Sequence, residues 1–167
     1  KDKLSDLQMN LLRSHSSCVG EPLDIEIVRG MMILLAASLC RGHSGVRPIV
    51  VQAIVEMLNA GVAPIIPSRG SVGASGDLAP LAHLALVICG EGKAILGEKE
   101  MPGKAAMAAV GITPIVPIEK EGLALINGTH LMSSIAALSL ADIAVICETA
   151  VISTAMSIDA AKGTITF

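Results

Sequence analysis

Apolar residues along this chain recur mostly at helical spacing, and glycine or proline marks where each run stops. A first helix is expected over Lys3 to Ser14. After a turn at Gly20 and Pro22, Asp24 is placed to cap a second helix that runs through Leu39 and ends at Arg41-Gly42. A third begins near Pro48, a residue suited to the first helical turn, and continues to Leu58 before Asn59-Ala60-Gly61 stops it. Pro64 and Pro67 hold the next stretch extended. Gly70, Gly73 and Gly76 then make a loop of low helix propensity, and Asp77 caps a strongly apolar helix reaching about Cys89.

Between residues 90 and 120 the pattern breaks up. A short hairpin over Ala94 to Met101, a short helix over Lys104 to Val110 and an extended "TPIVP" segment are expected there. The stretch "KEGLALINGTH" interrupts helical structure again, and Thr129 caps a final helix ending near Ala160. At ~1.5 Å per residue that helix is about 45 Å long, more than a small domain needs, and it suits one member of a larger bundle. The pattern therefore predicts an all-α fold, a long-helix bundle with a small hairpin and loop excursion around residues 90–120. It reads as a single partial domain over residues 1–167.

Composition sharpens this picture. Of 167 residues, 52% are hydrophobic, which is high for a soluble monomer and implies that much of the surface faces other protein. Trp and Tyr are absent and Phe167 is the sole aromatic, so the core must be Leu, Ile, Val, Ala and Met packed closely, which favours helix on helix over a β-sandwich. A net charge of −3 carries no nucleic-acid signature. Two windows test for membrane insertion. Met31 to Cys40 is about half the roughly 20 residues a span requires, and Leu131 to Ser157 is interrupted by Asp142 and Glu148, so both are expected to be buried helices rather than spans. No basic segment followed by an apolar one opens the chain, so no signal peptide is expected. Cys18, Cys40, Cys89 and Cys147 lack the spacing of a zinc site, and reduced structural thiols in a cytoplasmic protein without bound metal are expected.

The chemistry lies in "GSVGASGDLAPLAH". If Ala74, Ser75 and Gly76 bend into a tight turn, the Gly76 amide nitrogen can attack the Ala74 carbonyl carbon and close a five-membered ring with loss of water. Glycine is wanted at that nitrogen because a side chain would obstruct the approach. Loss of the Ser75 α-proton and its hydroxyl then leaves an exocyclic methylene conjugated to the ring, a strong electrophile of a kind that ordinary side chains do not provide. Asp77 stands beside the loop, where its carboxylate can orient the turn by bonding amides at the helix N-terminus or move protons during cyclisation.

Other readings of the loop fit less well. A GxxGxxG loop opening a helix can be an anion nest, but the Walker lysine and a preceding buried strand are missing. A nucleophile elbow requires GxSxG, whereas Gly73-Ala74-Ser75-Gly76-Asp77 ends in Asp.

The segment "GSVGASGDLAPLAH" resembles, nearly letter for letter, the signature of the family of histidine and phenylalanine ammonia-lyases. Their prosthetic group, 4-methylidene-imidazol-5-one (MIO), forms from Ala-Ser-Gly. The resemblance extends through "LLRSHSSCVGEPL", "SLCRGHSGVRP", "GEGKA" and "EGLALINGT", in the family's order and at similar separations, so it covers essentially the whole chain. It implies that Ala74, Ser75 and Gly76, with Asp77, supply the catalytic group, with no dissociable cofactor.

Within that resemblance, Ser14-His15 occupies the place where two residues help choose the substrate's side chain. There Phe-Leu looks like phenylalanine, His-Leu like tyrosine and Ser-His like histidine. A histidine can hydrogen-bond an imidazole, whereas an apolar pair would leave that ring's nitrogens unpaired at a cost of about 1–3 kcal/mol. Read without the family, His15 is a cation at a helix end. Asn127-Gly128-Thr129 resembles the family's Asn-Gly-Thr, and the resemblance implies that the Asn127 amide bonds the prosthetic group's carbonyl or the substrate's carboxylate without adding charge. The same residues read locally as a turn and helix cap, and also match a glycosylation acceptor that a cytoplasmic protein would not use. His83 is expected to be a hydrogen-bonded core residue, and neither His43 nor His130 is assigned to catalysis. Arg41 and Arg47 are candidates to anchor loops by pairing with carboxylates that the sequence does not name.

The family's base is a tyrosine, and this chain contains none. The resemblance thus implies an internal portion of a lyase protomer, inactive alone, whose full-length form eliminates ammonia from L-histidine to give urocanate. It also implies a homotetramer whose long helices form a central bundle, which would account for the hydropathy. The alternatives are a phenylalanine or tyrosine ammonia-lyase or aminomutase of the same chemistry, and a non-catalytic helical assembly module that retains the loop.

Overall fold

The computed structural model describes residues 2–164 and 166. They form two compact units, residues 1–134 and 135–167.

The first unit holds α1 (Asp2–His15), β1 (Val19–Pro22), α2 (Ile25–Cys40), α3 (Pro48–Ala60), β2 (Val62–Pro64), β3 (Pro67–Arg69), α4 (Leu78–Ile88), β4 (Lys93–Leu96), β5 (Lys99–Pro102), α5 (Gly103–Ala109), α6 (Glu121–Ile126) and the start of α7 (His130–Ala160). The helices arise where the apolar spacing places them. In α2, Val28, Met31, Met32, Leu35, Ala36 and Leu39 are buried on one face. In α3, Val50, Ala53, Ile54 and Met57 do the same, behind Pro48 at the first turn and before Gly61 in the left-handed C-cap. Helix α4 is different in kind. Nearly every residue from Pro80 to Ile88 is buried, because α4 is the element around which the others pack. Side chains without aromatic rings fill this core, with Met31, Met32, Met57 and Met107 all fully enclosed.

Three features depart from the sequence expectation. The segments on either side of the second helix's entrance and the glycine loop pair as strands: β1 with β3, and β2 with β4, which together with β5 makes a three-stranded antiparallel sheet. The expected hairpin is present with Ala94 opposite Met101. β2 is fully buried at Val62 and Ala63, where unpaired backbone amides would be costly, whereas β1 and β3 are largely exposed and are held by pairing with each other. Second, "KEGLALI" is not a break but α6, buried through Gly122, Leu125 and Ile126 and entered through Lys120 at φ 64. Third, Asp24 and Asp77 stand at N-cap positions but neither side chain caps its own helix.

The second unit is essentially the continuation of α7, a helix of 31 residues as expected. Its burial is not as expected. Leu140, Val145, Ile146, Val151, Ile152 and Met156 are each 61% or more exposed, because a single helix has no second element of its own unit to cover it. By length and composition α7 is apolar enough to cross a membrane, though Asp142 and Glu148 lie within it. The other tested window, Met31 to Cys40, is a core-facing helix.

Candidate active site

The loop from Gly70 to Asp77 is a succession of bends rather than a helix, and it hands over to α4 at Leu78. Gly73 at φ 64 and Gly76 at φ 120 take backbone conformations that L side chains resist. Ala74 and Ser75 are exposed, while Gly76 and Asp77 are buried. A Cβ at Gly76 would overlap the Gly128 carbonyl oxygen, so glycine is required there by contact as well as by φ. The same oxygen accepts the Asp77 N–H at 2.7 Å. The "ASGD" loop and the "NGT" turn, 50 residues apart in the chain, thus lie back to back.

Asp77 is fully buried, and its carboxylate is the centre of this contact. One oxygen accepts the Ser71 hydroxyl at 2.7 Å. The other accepts the backbone N–H groups of Leu131 at 2.9 Å and Met132 at 3.0 Å. The residue expected to cap α4 therefore caps α7, and it satisfies two of the amides that a helix start leaves unpaired. A negative charge at that helix end is further favoured by the helix dipole. Thr129 does not cap α7 with its side chain among the described hydrogen bonds; its carbonyl accepts the Ser133 N–H.

Around this contact the backbone groups that ring closure needs are uncommitted. Among the described residues, no hydrogen bond engages the Gly76 N–H, the Ala74 carbonyl or the Ser75 hydroxyl. An amide already bonded in a helix would have to break that bond before attacking. A free nitrogen in a left-handed glycine, next to an exposed serine and a fixed carboxylate, fits the residues that form a methylidene-imidazolone.

Ser14 and His15 end α1. The Ser14 hydroxyl donates to the Leu11 carbonyl at 2.8 Å, and His15 Nδ1 lies 2.9 Å from the same oxygen. A carbonyl only accepts, so Nδ1 carries the proton and Nε2 is the acceptor of the neutral ring. No hydrogen bond joins this pair to the loop among the described residues. The link runs through Cys18, whose N–H donates to His83 Nε2 in α4 at 3.2 Å and whose sulfur lies where a Cβ of Gly70 would be. His83 is thus the hydrogen-bonded core histidine expected, and burial lowers its pKa below the ordinary histidine value. Burial also raises the Cys18 thiol and pushes Cys89 up to about 12, as structural thiols require, but Cys40 and Cys147 are exposed and do not fit that expectation; all four are free.

Asn127 is exposed at the end of α6 and, with Ser44, Lys120, Leu123 and Ala124, lines a cavity of about 210 Å³. A larger cavity of about 520 Å³ opens between Leu39, Cys40, Val51 and Val55 and includes none of the candidate residues. Among the described residues no cluster of metal-binding side chains is found.

What holds α6 is not visible in the sequence. Glu121 is buried, and its carboxylate accepts from Arg47 N–H, Nε and Nη2 and from the Ile118 N–H at 2.8–3.0 Å. Burial raises this carboxyl, but the bonds from Arg47 and Ile118 outweigh it and hold the pKa below the ordinary value. Glu121 is the unnamed partner of Arg47. A lone acid in the otherwise apolar "EGLALI" was the available signal. Gln8 adds a second tie, accepting the Gly122 N–H at 3.0 Å and joining α1 to α6.

The whole chain, residues 1–167, matches the family described as aromatic amino acid lyase. It is 49% identical over 166 residues to histidine ammonia-lyase of Alkaliphilus oremlandii, covering 99% of this chain and 33% of that protein. To histidine ammonia-lyase of Koribacter versatilis it is 51% identical over 158 residues, 95% of this chain and 31% of that protein. The crystal structure of histidine ammonia-lyase from Trypanosoma cruzi superposes with a TM-score of 0.93 at 44% identity, covering 98% of this chain and 32% of that one. Pantoea agglomerans phenylalanine aminomutase gives 0.89 at 38% identity, with 94% and 30% covered. The chain spans about a third of the length of the relatives it matches.

Proposed function

Because the chain belongs to the aromatic amino acid lyase family, we propose that it is the central portion of a cytoplasmic ammonia-lyase protomer that converts L-histidine to urocanate and ammonia. The observation that carries this reading is the contact between the "ASGD" loop and the "NGT" turn, in which a buried Asp77 fixes the loop while the Gly76 nitrogen stays uncommitted. Once formed from Ala74, Ser75 and Gly76, MIO supplies an electrophile that turns the substrate's amine into a leaving group.

This chain's own residues then divide the remaining work. Asp77 holds the loop against α7. The Asn127 amide offers a neutral donor to a carbonyl or to the substrate's carboxylate. Ser14 keeps company with His15, whose Nε2 lone pair suits an imidazole N–H and has nothing to offer a phenyl ring. That chemistry and the histidine ammonia-lyases among the relatives favour histidine over phenylalanine or tyrosine, and lyase over aminomutase.

Abstracting the substrate's β-proton needs a base, and no tyrosine is available here, so the base and the walls that enclose Ala74 and Ser75 come from outside these residues. The apolar surface of α7, exposed on all sides at Leu140, Ile146, Val151 and Met156, is where copies assemble as a homotetramer. Asp142 and Glu148, in the middle of the helix, favour that role over a membrane span.

The test is turnover by the full-length protein. It releases ammonia and urocanate from L-histidine and leaves L-phenylalanine unchanged, and these 167 residues alone do neither. Turnover of L-phenylalanine in preference to L-histidine would overturn the substrate assignment, and no turnover of either would leave the assembly module as the reading.

A further inference from the structure

His130 opens α7, and its Nδ1 is the one buried side-chain nitrogen or oxygen without a hydrogen-bond partner among the described residues. Its ring lies on Gly128, where a Cβ would overlap Cε1 and Nδ1. Gly128 does not adopt a positive φ, so a left-handed backbone is not what demands glycine there. The glycine of "NGT" is therefore set by the imidazole that lies on it and not by the turn. Behind it, the Gly128 carbonyl abuts Gly76 and accepts the Asp77 N–H. His130, Gly128 and Gly76 form a continuous stack from the start of α7 to the nitrogen that must close the ring.

We infer that His130 is a positioning residue for ring closure: seated on Gly128, its imidazole holds the Gly128 carbonyl against Gly76 and Asp77 and so presents the Gly76 nitrogen to Ala74. This rests on the reading of the loop as an MIO precursor. In closure a bond forms between Gly76 N and the Ala74 carbonyl carbon. The Ala74 oxygen leaves as water with one hydrogen from Gly76 N and one from Ser75 N, and a C=N bond remains. A second water takes the Ser75 hydroxyl and the Ser75 α-hydrogen. His130 gains and loses no atom in either step. Burial lowers the pKa of His130, partly opposed by the Asp77 charge, which keeps the ring in the neutral form this role needs.

Intact mass spectrometry of the full-length protein reads closure directly as a deficit of two waters, independently of lyase activity. His130→Leu, which keeps the bulk and removes the nitrogens, should slow appearance of the deficit at least tenfold, while His130→Gln, which keeps a neutral hydrogen-bonding group, should restore most of it. Gly128→Ala displaces the ring and should match His130→Leu, but the same change made on top of His130→Ala should add little. Thermal unfolding of each variant separates loss of closure from loss of fold. Should His130→Leu not fold, His130→Gln and the Gly128→Ala pair decide. Closure at the unsubstituted rate in a folded His130→Leu, or additive effects of Gly128→Ala and His130→Ala, would overturn the inference and leave the lyase reading intact. An unsubstituted protein with no deficit would sink that reading, and this inference with it.

Discussion

The Asp77 carboxylate accepts the Leu131 backbone N–H at 2.9 Å, so the residue that precedes α4 caps α7. The glycine loop and α7 therefore share one buried side chain, and the loop's shape depends on where that helix starts.

Removing the carboxylate leaves the Leu131 and Met132 amides buried without a partner. Asp77→Ala should destabilise the first unit by about 2–4 kcal/mol, and Asp77→Asn, which retains one oxygen, by about half as much. Urea unfolding checks both. An Asp77→Ala variant of unchanged midpoint would show that the cap is not formed in solution.

Gly76 tests the loop's contact with the "NGT" turn. At φ 120, with the Gly128 oxygen in the place of a Cβ, Gly76→Ala should cost about 2–4 kcal/mol. Gly42, which also has a positive φ but open space around it, is the control, and Gly42→Ala should cost about 1 kcal/mol. Equal costs at the two positions would mean that backbone angle alone demands the glycine at 76.

Acid should loosen α6. The Glu121 carboxyl has a folded pKa below its ordinary 4.5, so its contribution to stability is complete above that value and is lost as pH falls through the lower folded one. Glu121→Gln should destabilise by about 2–3 kcal/mol at neutral pH and should flatten the fall in stability as pH drops below the ordinary carboxyl value. A variant whose profile keeps the original slope there would place the acid sensitivity on another carboxyl.

His15→Leu removes the Nε2 acceptor that the geometry leaves free, and should reduce kcat/KM for L-histidine at least tenfold, about 1.4 kcal/mol, while the two-water deficit is unaffected. Loss of the deficit in that variant would mean that His15 supports the loop rather than the substrate.

The helices were legible in the sequence, because apolar spacing and the glycine and proline punctuation act locally. The loop's bends at Gly73 and Gly76 and the proline and glycine ends of α3 belong to that class. What was illegible depends on distant partners. Asp77 carries the sequence signature of an N-cap but is oriented by Leu131 and Met132, which the chain reaches 54 residues later. Arg47 read as a loop anchor, while its partner Glu121 lies 74 residues away. The strands β1 and β3 are too short to show a period of two, and they exist because each lies beside the other. Gly128 read as a turn residue because local rules cannot see the His130 ring that excludes a side chain there.

The central claim is that Ala74, Ser75 and Gly76 react with one another, and the mass of the full-length protein tests it most directly. The account predicts a deficit of two waters located by proteolysis to the peptide containing residues 74–76, abolished by Ser75→Ala in a protein that still folds. A full unmodified mass, or a deficit that survives Ser75→Ala, would contradict it.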